Sequence, residues 1–456
     1  MPRLLLVSYV FPPQGGSGPL RRVKLLRYLK ELGWETTVLT TTEGFTRQSD
    51  TSLLLHVPPE TQVVRARSYE LSSLNPLVSR IHRSRRDRGT VDGMRGVVPT
   101  DSMPTRLARG IQRWVLLPDR EVGWLPDAVR HGHRIVREWQ PDVIASFSYP
   151  FTCHLVGRSL ARSYDLPFVT NFSDFWAGNR ILFDVLPTAF HRRVGRRLEA
   201  AVVRTADVNV VITEGMRREF ARRYPDLGAD RWAVAYNGFD PDDLANVQEI
   251  ADPRSSEGPF RLVYTGLAFA DRNSSNDPRP LLQGLATLRR GKPDLGNRVV
   301  LDIYGTTDAV TVTEIDRLGL EAVVRLRGHV PYAEALAAIA SSDATVILMT
   351  DREAAESVLP TKIFDYLGLG RPILAVTYEG ETAQFARRGR RSVLVSPDDP
   401  AAIAAGIESL VNLRHEPLGS IDTGLDRYTR EATAGAFDEA LTRAIAIHFQ
   451  RRRLPG

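Results

Sequence analysis

Residues 356–375 read ESVLPTKIFDYLGLGRPILA: a polar loop, a short helical stretch, a glycine stop and a run of strand formers. Pro360 stands where the first turn of a helix accepts proline, because the amide it lacks would go unpaired there in any case. Lys362 lies in that same turn, so an ammonium and the positive end of a helix dipole point at one spot. Asp365 follows three residues later, on a neighbouring face. The set suits a nucleoside diphosphate. Lys362 and the backbone around Leu359, Pro360 and Thr361 would take the phosphates, and Asp365 the ribose hydroxyls. A plain Lys362–Asp365 surface pair is the other reading of the same spacing.

Around this block the pattern is one of alternating strands and helices. Phe260–Gly266, Val299–Tyr304, Val323–Leu326, Thr345–Leu348, Ile373–Val376 and Ser392–Val395 are short apolar runs with helical patterns between them. The first part of the chain repeats the scheme. Leu4–Ser8 runs into Phe11-Pro12-Pro13-Gln14-Gly15-Gly16-Ser17-Gly18, then a helical pattern from Pro19 to Leu32, then Thr36–Leu39. Val143–Phe147, Phe168–Phe172 and Val208–Ile212 continue it, with Ala233–Tyr236 leading into the turn Asn237-Gly238. Continuous rather than alternating apolar runs mark strands buried on both faces, and β-α-β order implies parallel sheets.

The expected fold is therefore α/β, with two Rossmann-like domains facing each other across a cleft. Residues 1–240 form the first domain and 241–430 the second, and an amphipathic helix over 431–456 packs back on the first. Residues of about 45–105 are weakly patterned and read as a flexible basic insertion. Within it, Arg80–Arg88 carries six basic residues. Ligands in such sheets bind at the carboxyl ends of the strands.

Composition narrows the function classes. The 456 residues carry 60 Lys+Arg against 54 Asp+Glu, a net charge of +6, and 43% are hydrophobic. Cys153 is the one cysteine, which excludes a disulfide framework and fits a reducing, cytoplasmic compartment. No apolar run reaches the ~18–20 residues needed to span a bilayer. Only Lys24, Lys30, Lys292 and Lys362 are lysines, so arginine supplies nearly all the positive charge. The loop Gly15–Gly18 does not complete a dinucleotide fingerprint. Its last glycine would fall at Arg21, and Thr40–Thr42 offers no acid for a ribose, so a nicotinamide-dependent oxidoreductase is disfavoured. A tight turn without a ligand stays open for this loop.

With these residues in hand, the chain resembles the GT-B glycosyltransferases of the family-4 type, the retaining group 1 transferases. The resemblance rests on the glycine loop, on Asp142-Val143-Ile144 followed by Pro150–Leu155, and on Asn171–Trp176. Tyr236–Asp240, Gly328-His329-Val330-Pro331 and the block from Leu359 to Pro372 complete it. It implies a nucleotide-sugar donor held mainly by the second domain and an acceptor on the first. Gly16, Ser17 and Gly18 would approach the donor diphosphate. Gly266 and Arg272 would flank the phosphates, with Arg279 as a substitute, and His329 and Val330 would border the base. Lys362, Arg272 and the amides after Leu359 would stabilise the departing diphosphate. Asp365 takes the second position of the family's E-x7-E motif.

The first position holds Ser357 rather than glutamate, with Glu356 and Glu353 close by. That places the contact to the donor sugar in question. His154 and Asp174 are candidates for orienting the acceptor hydroxyl. A structural helix-start histidine and a capping aspartate are their plain alternatives. Asp240-Pro241-Asp242 is the one Asp-x-Asp pair found and suits helix capping better than a metal, so no metal or other cofactor is expected. The acceptor implied is a sugar, a lipid-linked sugar or a secondary metabolite. Arg80–Arg88 reads as solvated, or as a contact with an anionic membrane. Nucleic acid is disfavoured, since no aromatic interleaving accompanies the charge. A non-catalytic GT-B protein that only binds nucleotide or carbohydrate is the alternative function.

Overall fold

A computed structural model describes residues 1–42, 50–69, 97–98, 117–177, 188–250, 258–270, 274–416 and 423–453. The chain divides into two compact units. One holds the described residues up to Asn237, apart from Val97 and Val98, together with those from Arg430 onward; the other spans Gly238–Thr429 and takes in Val97 and Val98, which pair with Thr307 and Asp308.

The first unit is built on seven strands: β1 (Arg3–Val7), β2 (Glu35–Thr41), β3 (Gln62–Ala66), β4 (Val143–Phe147), β5 (Phe168–Phe172), β6 (Val208–Val211) and β7 (Trp232–Val234). They run parallel in the order β3-β2-β1-β4-β5-β6-β7. Among its helices are α1 (Ser17–Glu31), α2 (Leu125–Trp139), α3 (Thr152–Tyr164), α4 (Ala189–Thr205) and α5 (Glu214–Arg223). Side chains alternate across a strand, so each strand feeds two cores. Leu5, Val7, Ile144, Phe168 and Phe172 pack against Ile135 of α2 and Val156 and Leu160 of α3. Leu4, Leu6, Val143, Ala145 and Val169 pack against Val23, Leu26 and Leu29 of α1, with Phe437 and Leu441 of the C-terminal helix, Arg430–Arg453. Each fully buried Leu or Phe contributes about 1.5–3 kcal/mol.

The insertion read over 45–105 needs correction. Residues 50–69 belong to the fold, with a 3-10 turn at Thr51–His56 and β3 pairing in register with β2, Val38 opposite Val63. As an edge strand with Gln62 exposed and Val63 to Arg65 only half-buried, it lacks the apolar run that marks a central strand. Arg80–Arg88 lies outside the described residues.

The second unit begins with α6 (Pro241–Ile250), capped by Asp240, whose Oδ1 accepts from the Asp242 amide at 3.2 Å. Its strands are β8 (Phe260–Thr265), β9 (Val299–Tyr304), β10 (Val324–Gly328), β11 (Ala344–Met349), β12 (Ile373–Thr377) and β13 (Val393–Val395). They too are parallel, ordered β10-β9-β8-β11-β12-β13. In both sheets the order reverses beside the first strand, between β1 and β4 and between β8 and β11. That reversal opens a crevice at the carboxyl ends, where open α/β sheets take ligands. Among the described residues no helix is long and apolar enough to cross a membrane.

Candidate functional site

The crevice of the second unit is shaped by α11 (Lys362–Gly368), which is tied to the end of β8. The buried Tyr366 hydroxyl accepts from the Thr265 amide at 3.1 Å and shares a hydrogen bond with Thr265 Oγ1 at 3.0 Å. This latch brings Lys362 beside Gly266. Gly266 has φ +113°, and a Cβ there would stand 2.9 Å from Lys362 Nζ. Gly305, at the end of β9, closes on the same turn, since its Cβ would fall 1.9 Å from the Gly266 carbonyl oxygen. Both positions have a positive φ, +113° and +139°, that favours glycine, and at Gly305 the backbone contact also leaves no room for a side chain.

Lys362 Nζ lies 3.7 Å from the centre of the Tyr264 ring. Among the described residues no carboxylate pairs with it. The side chain is only half-buried. The protein packed around the ammonium nevertheless pushes its pKa down to about 7, a pull that the remaining solvent contact moderates. The Lys362–Asp365 pair is not formed. Asp365 is buried and accepts instead from the Tyr332 hydroxyl at 2.9 Å.

The entry to α11 differs from the expected one. Pro360 precedes the helix rather than lying in its first turn. Ile363 and Phe364 donate to the carbonyls of Pro360 and Thr361 at 3.1 and 3.2 Å, a tight 3-10 step before the α-helix begins at Lys362. Leu359 is buried, Thr361 and Ser357 are half-buried, and Glu356 is exposed. Thr382 Oγ1 donates to the Val358 carbonyl at 2.7 Å and anchors this loop. His329 is exposed and Val330 half-buried, just past Gly328 at the end of β10, where the Gly305 amide donates to the Gly328 carbonyl at 2.7 Å.

Arg272 lies outside the described residues. Arg279 does not fit as its substitute, because Asp277 already binds that guanidinium through both carboxylate oxygens, at 2.5 to 3.0 Å. Asp277 and Arg279 line a cavity of about 250 Å³ with Thr350, Asp351, Tyr378 and Asp398.

In the first unit, Gly16 precedes α1 with φ +105°, and Gly16 and Ser17 are exposed while Gly18 is half-buried. Its N-cap offers no side-chain hydrogen bond and its first turn holds no acid, which suits its positive end to an anion. His154 is fully buried among Phe151 and Phe172, with Nδ1 2.8 Å from Ser146 Oγ and Nε2 without a partner. Burial holds its pKa down near 3, so the ring is neutral at pH 7. The helix-start reading fits this geometry; a role at an acceptor hydroxyl does not. Asp174 is exposed and makes no hydrogen bond among the described residues, so it is not a cap. The dense protein around it raises its pKa, with Arg22 and Arg21 opposing. The exposure governs, because solvent at the oxygens screens that effect.

Tyr264, Gly305, Tyr332 and Tyr366 escaped the reading of the sequence, although Tyr264 stands two residues from Gly266 and Tyr366 four from Lys362, and their neighbourhood was a usable signal.

Two family models match the chain in succession: Glycosyltransferase Family 4 over residues 94–243 and Glycosyl transferases group 1 over residues 270–412. No characterised protein sequence matches significantly. Solved structures match over nearly the whole chain. Sucrose-phosphate synthase from Thermosynechococcus elongatus is 14% identical, with 99% of each chain covered and a TM-score of 0.57. WaaG, a glycosyltransferase involved in lipopolysaccharide biosynthesis, is 13% identical, with 98% of each covered and a TM-score of 0.54. S. aureus MnaA, solved with UDP, is 10% identical, with 98% of each covered and a TM-score of 0.52. At such identities the likeness establishes the two-domain GT-B fold alone.

Proposed function

The chain belongs to the glycosyltransferases of the family 4 and group 1 kind, and from that premise we propose that it moves a hexosyl group from a nucleoside diphosphate donor to an acceptor hydroxyl with retention of configuration and without a metal. The observation that carries the reading is the Lys362 ammonium, without a carboxylate partner among the described residues, lodged against Gly266 at the switch point of the second sheet. An unpaired cation in a crowded crevice is costly unless an anion arrives to share it. Its place at the start of α11, beside a turn whose glycines leave the backbone bare, suits a diphosphate.

Lys362 holds the phosphates and stabilises the charge that grows on them as the glycosidic bond breaks. Gly266 lets them approach the backbone. Asp365, fixed by Tyr332, takes ribose hydroxyls, and His329 and Val330 border the base. The open start of α1 at Gly16–Gly18 is a positive end of the first unit suited to an anion. Asp174 is left as the exposed group suited to orient the acceptor hydroxyl, whose proton goes to the leaving phosphate. Donor binding without turnover, the second reading, is favoured by Ser357 at the position where the motif has its first acid.

A melting panel of UDP, GDP, ADP and dTDP and their sugar conjugates, with and without Mg²⁺, tests this, since a ligand of the native state raises the melting temperature. One nucleotide should stand out, equally with and without Mg²⁺, and its sugar conjugate should be consumed. Binding without consumption in the presence of varied acceptors favours the second reading, and a flat panel refutes both.

A further inference from the structure

The first unit carries a second set of cations that the donor site does not use. Arg21 and Arg22 on α1 and Arg430 at the start of the C-terminal helix are only 6%, 3% and 5% exposed. Arg22 is satisfied within the fold. Its guanidinium donates to Ser8 Oγ at 3.3 Å, the Gly18 carbonyl at 3.2 Å and the Ser148 carbonyl at 2.8 Å, so it braces α1 against the ends of β1 and β4.

Arg21 and Arg430 are different. Arg21 makes one hydrogen bond, from Nη1 to Ser173 Oγ at 3.0 Å. Arg430 Nη1 is buried with no partner among the described residues. Arg430 lies close enough to Arg21 for its charge to be felt there. Among the described residues neither has an ion pair, and Asp174 is near Arg21 without contacting it.

Asn171 adds an independent sign. It is fully buried, and neither its Oδ1 nor its Nδ2 has a partner among the described residues. Strand alternation puts Asn171 and Ser173 on the side of β5 that carries Val169, which packs against α1 and the C-terminal helix. Arg21, Arg430, Ser173 and Asn171 thus share one layer at the carboxyl end of the first sheet. Two buried like charges with unmet hydrogen-bonding capacity, beside an unpaired amide, would be a heavy cost for packing alone.

We propose that this layer is a subsite for the phosphate group of a phosphorylated acceptor, held by Arg21 and Arg430 with Ser173 and Asn171 as neutral partners. It rests on the transferase reading only in assigning the anion to the acceptor. Arginine suits the task because its planar fork meets phosphate oxygens in pairs. The exposed Asp174 then stands beside the anchored molecule, free to face its hydroxyl. The carboxylate also repels an anion, so the subsite accepts a group on the Arg21 side rather than one spread across the whole mouth.

The test is calorimetric titration of the full chain with glycerol 3-phosphate, inorganic phosphate and glycerol. Each is run alone and with the nucleoside diphosphate from the melting panel at saturation. Glycerol 3-phosphate should bind in both conditions and glycerol in neither. Arg21→Gln and Arg430→Gln should each weaken glycerol 3-phosphate at least tenfold, while Lys362→Ala leaves it unchanged. Arg430→Lys should recover part of the loss, which a merely structural role would not produce.

Competition with the nucleotide would assign the anion to the donor and overturn the proposal. So would inorganic phosphate binding without glycerol 3-phosphate, or binding indifferent to both arginine variants. The wild-type competition arm needs no variant to fold. If the nucleotide panel is flat and glycerol 3-phosphate still binds through Arg21, the transferase reading fails and the phosphate site stands.

Discussion

Replacing Lys362 by methionine should make the protein more stable and take away its nucleotide. In the folded chain, burial lowers the lysine's pKa from 10.5 to about 7. Taken whole, that shift is worth at most about 5 kcal/mol. The residue is only half-buried, and the Tyr264 face returns about 0.5–2 kcal/mol to the ammonium. A net cost of about 1–2 kcal/mol is therefore expected for carrying the charge. The sign with pH follows. Below pH 7 the folded lysine is charged and the cost is borne in full. Between pH 7 and about 10.5 the folded lysine is neutral while the unfolded one is still protonated, so wild-type stability climbs. Lys362→Met has no such climb.

In urea melts the variant should exceed wild type by about 1–2 kcal/mol at pH 6, or about 2–8 °C in melting temperature for a unit of this size. The gap should shrink by pH 9. A variant less stable than wild type at pH 6, or a gap that does not change with pH, would refute the reasoning that Lys362 is held at a cost for a ligand.

The other expectations concern its surroundings. Gly266→Ala forces a side chain onto φ +113° and against Lys362 Nζ, and should cost about 1–3 kcal/mol and weaken nucleotide binding, read by melts with and without ligand. Tyr366→Phe leaves the Thr265 amide without its acceptor and should cost about 1–2 kcal/mol, seen in urea melts as loss of stability in the second unit. In the first unit, burial and the nearby Glu121 raise the Asp119 carboxyl to about 7, although it accepts from the amide and hydroxyl of Thr152. Between pH 4 and 7 the folded chain keeps a proton that the unfolded chain has lost, so this group lowers stability as pH rises. Asp119→Asn should flatten that fall, with its gain over wild type larger at pH 8 than at pH 4.5.

What the sequence disclosed and what it hid divide along a physical line. Leu4–Val7, Val143–Phe147 and Phe168–Phe172 could be read because a strand covered on both faces must be apolar throughout. Gln62–Ala66 could not, since an edge strand owes its place to pairing with β2 and only part of its side chains to a core. Lys362 and Asp365 were visible as chemistry on one short segment. Their partners Tyr264 and Tyr332 were not, because those contacts exist only once β8 and the helix beginning at Tyr332 are brought to α11. His154 looked equally apt for catalysis or for a helix start. Only the closing of Phe151 and Phe172 around it decides, and nothing in their spacing announces that they meet. Arg21 appeared merely as the residue that breaks a glycine fingerprint. Its meaning comes from burial beside Ser173, at the end of a strand far along the chain.

In the proposed reaction the second unit binds a nucleoside diphosphate through Lys362. Titrating wild type and Lys362→Ala by calorimetry with the nucleoside diphosphate that stands out in the melting panel, at pH 6 and pH 8.5, tests it most directly. Wild type should bind, more tightly at pH 6 than at pH 8.5 because the bound anion favours the charged lysine, and Lys362→Ala should lose at least tenfold in affinity at pH 6. Equal binding by the two proteins, or wild-type affinity that rises with pH, would contradict it.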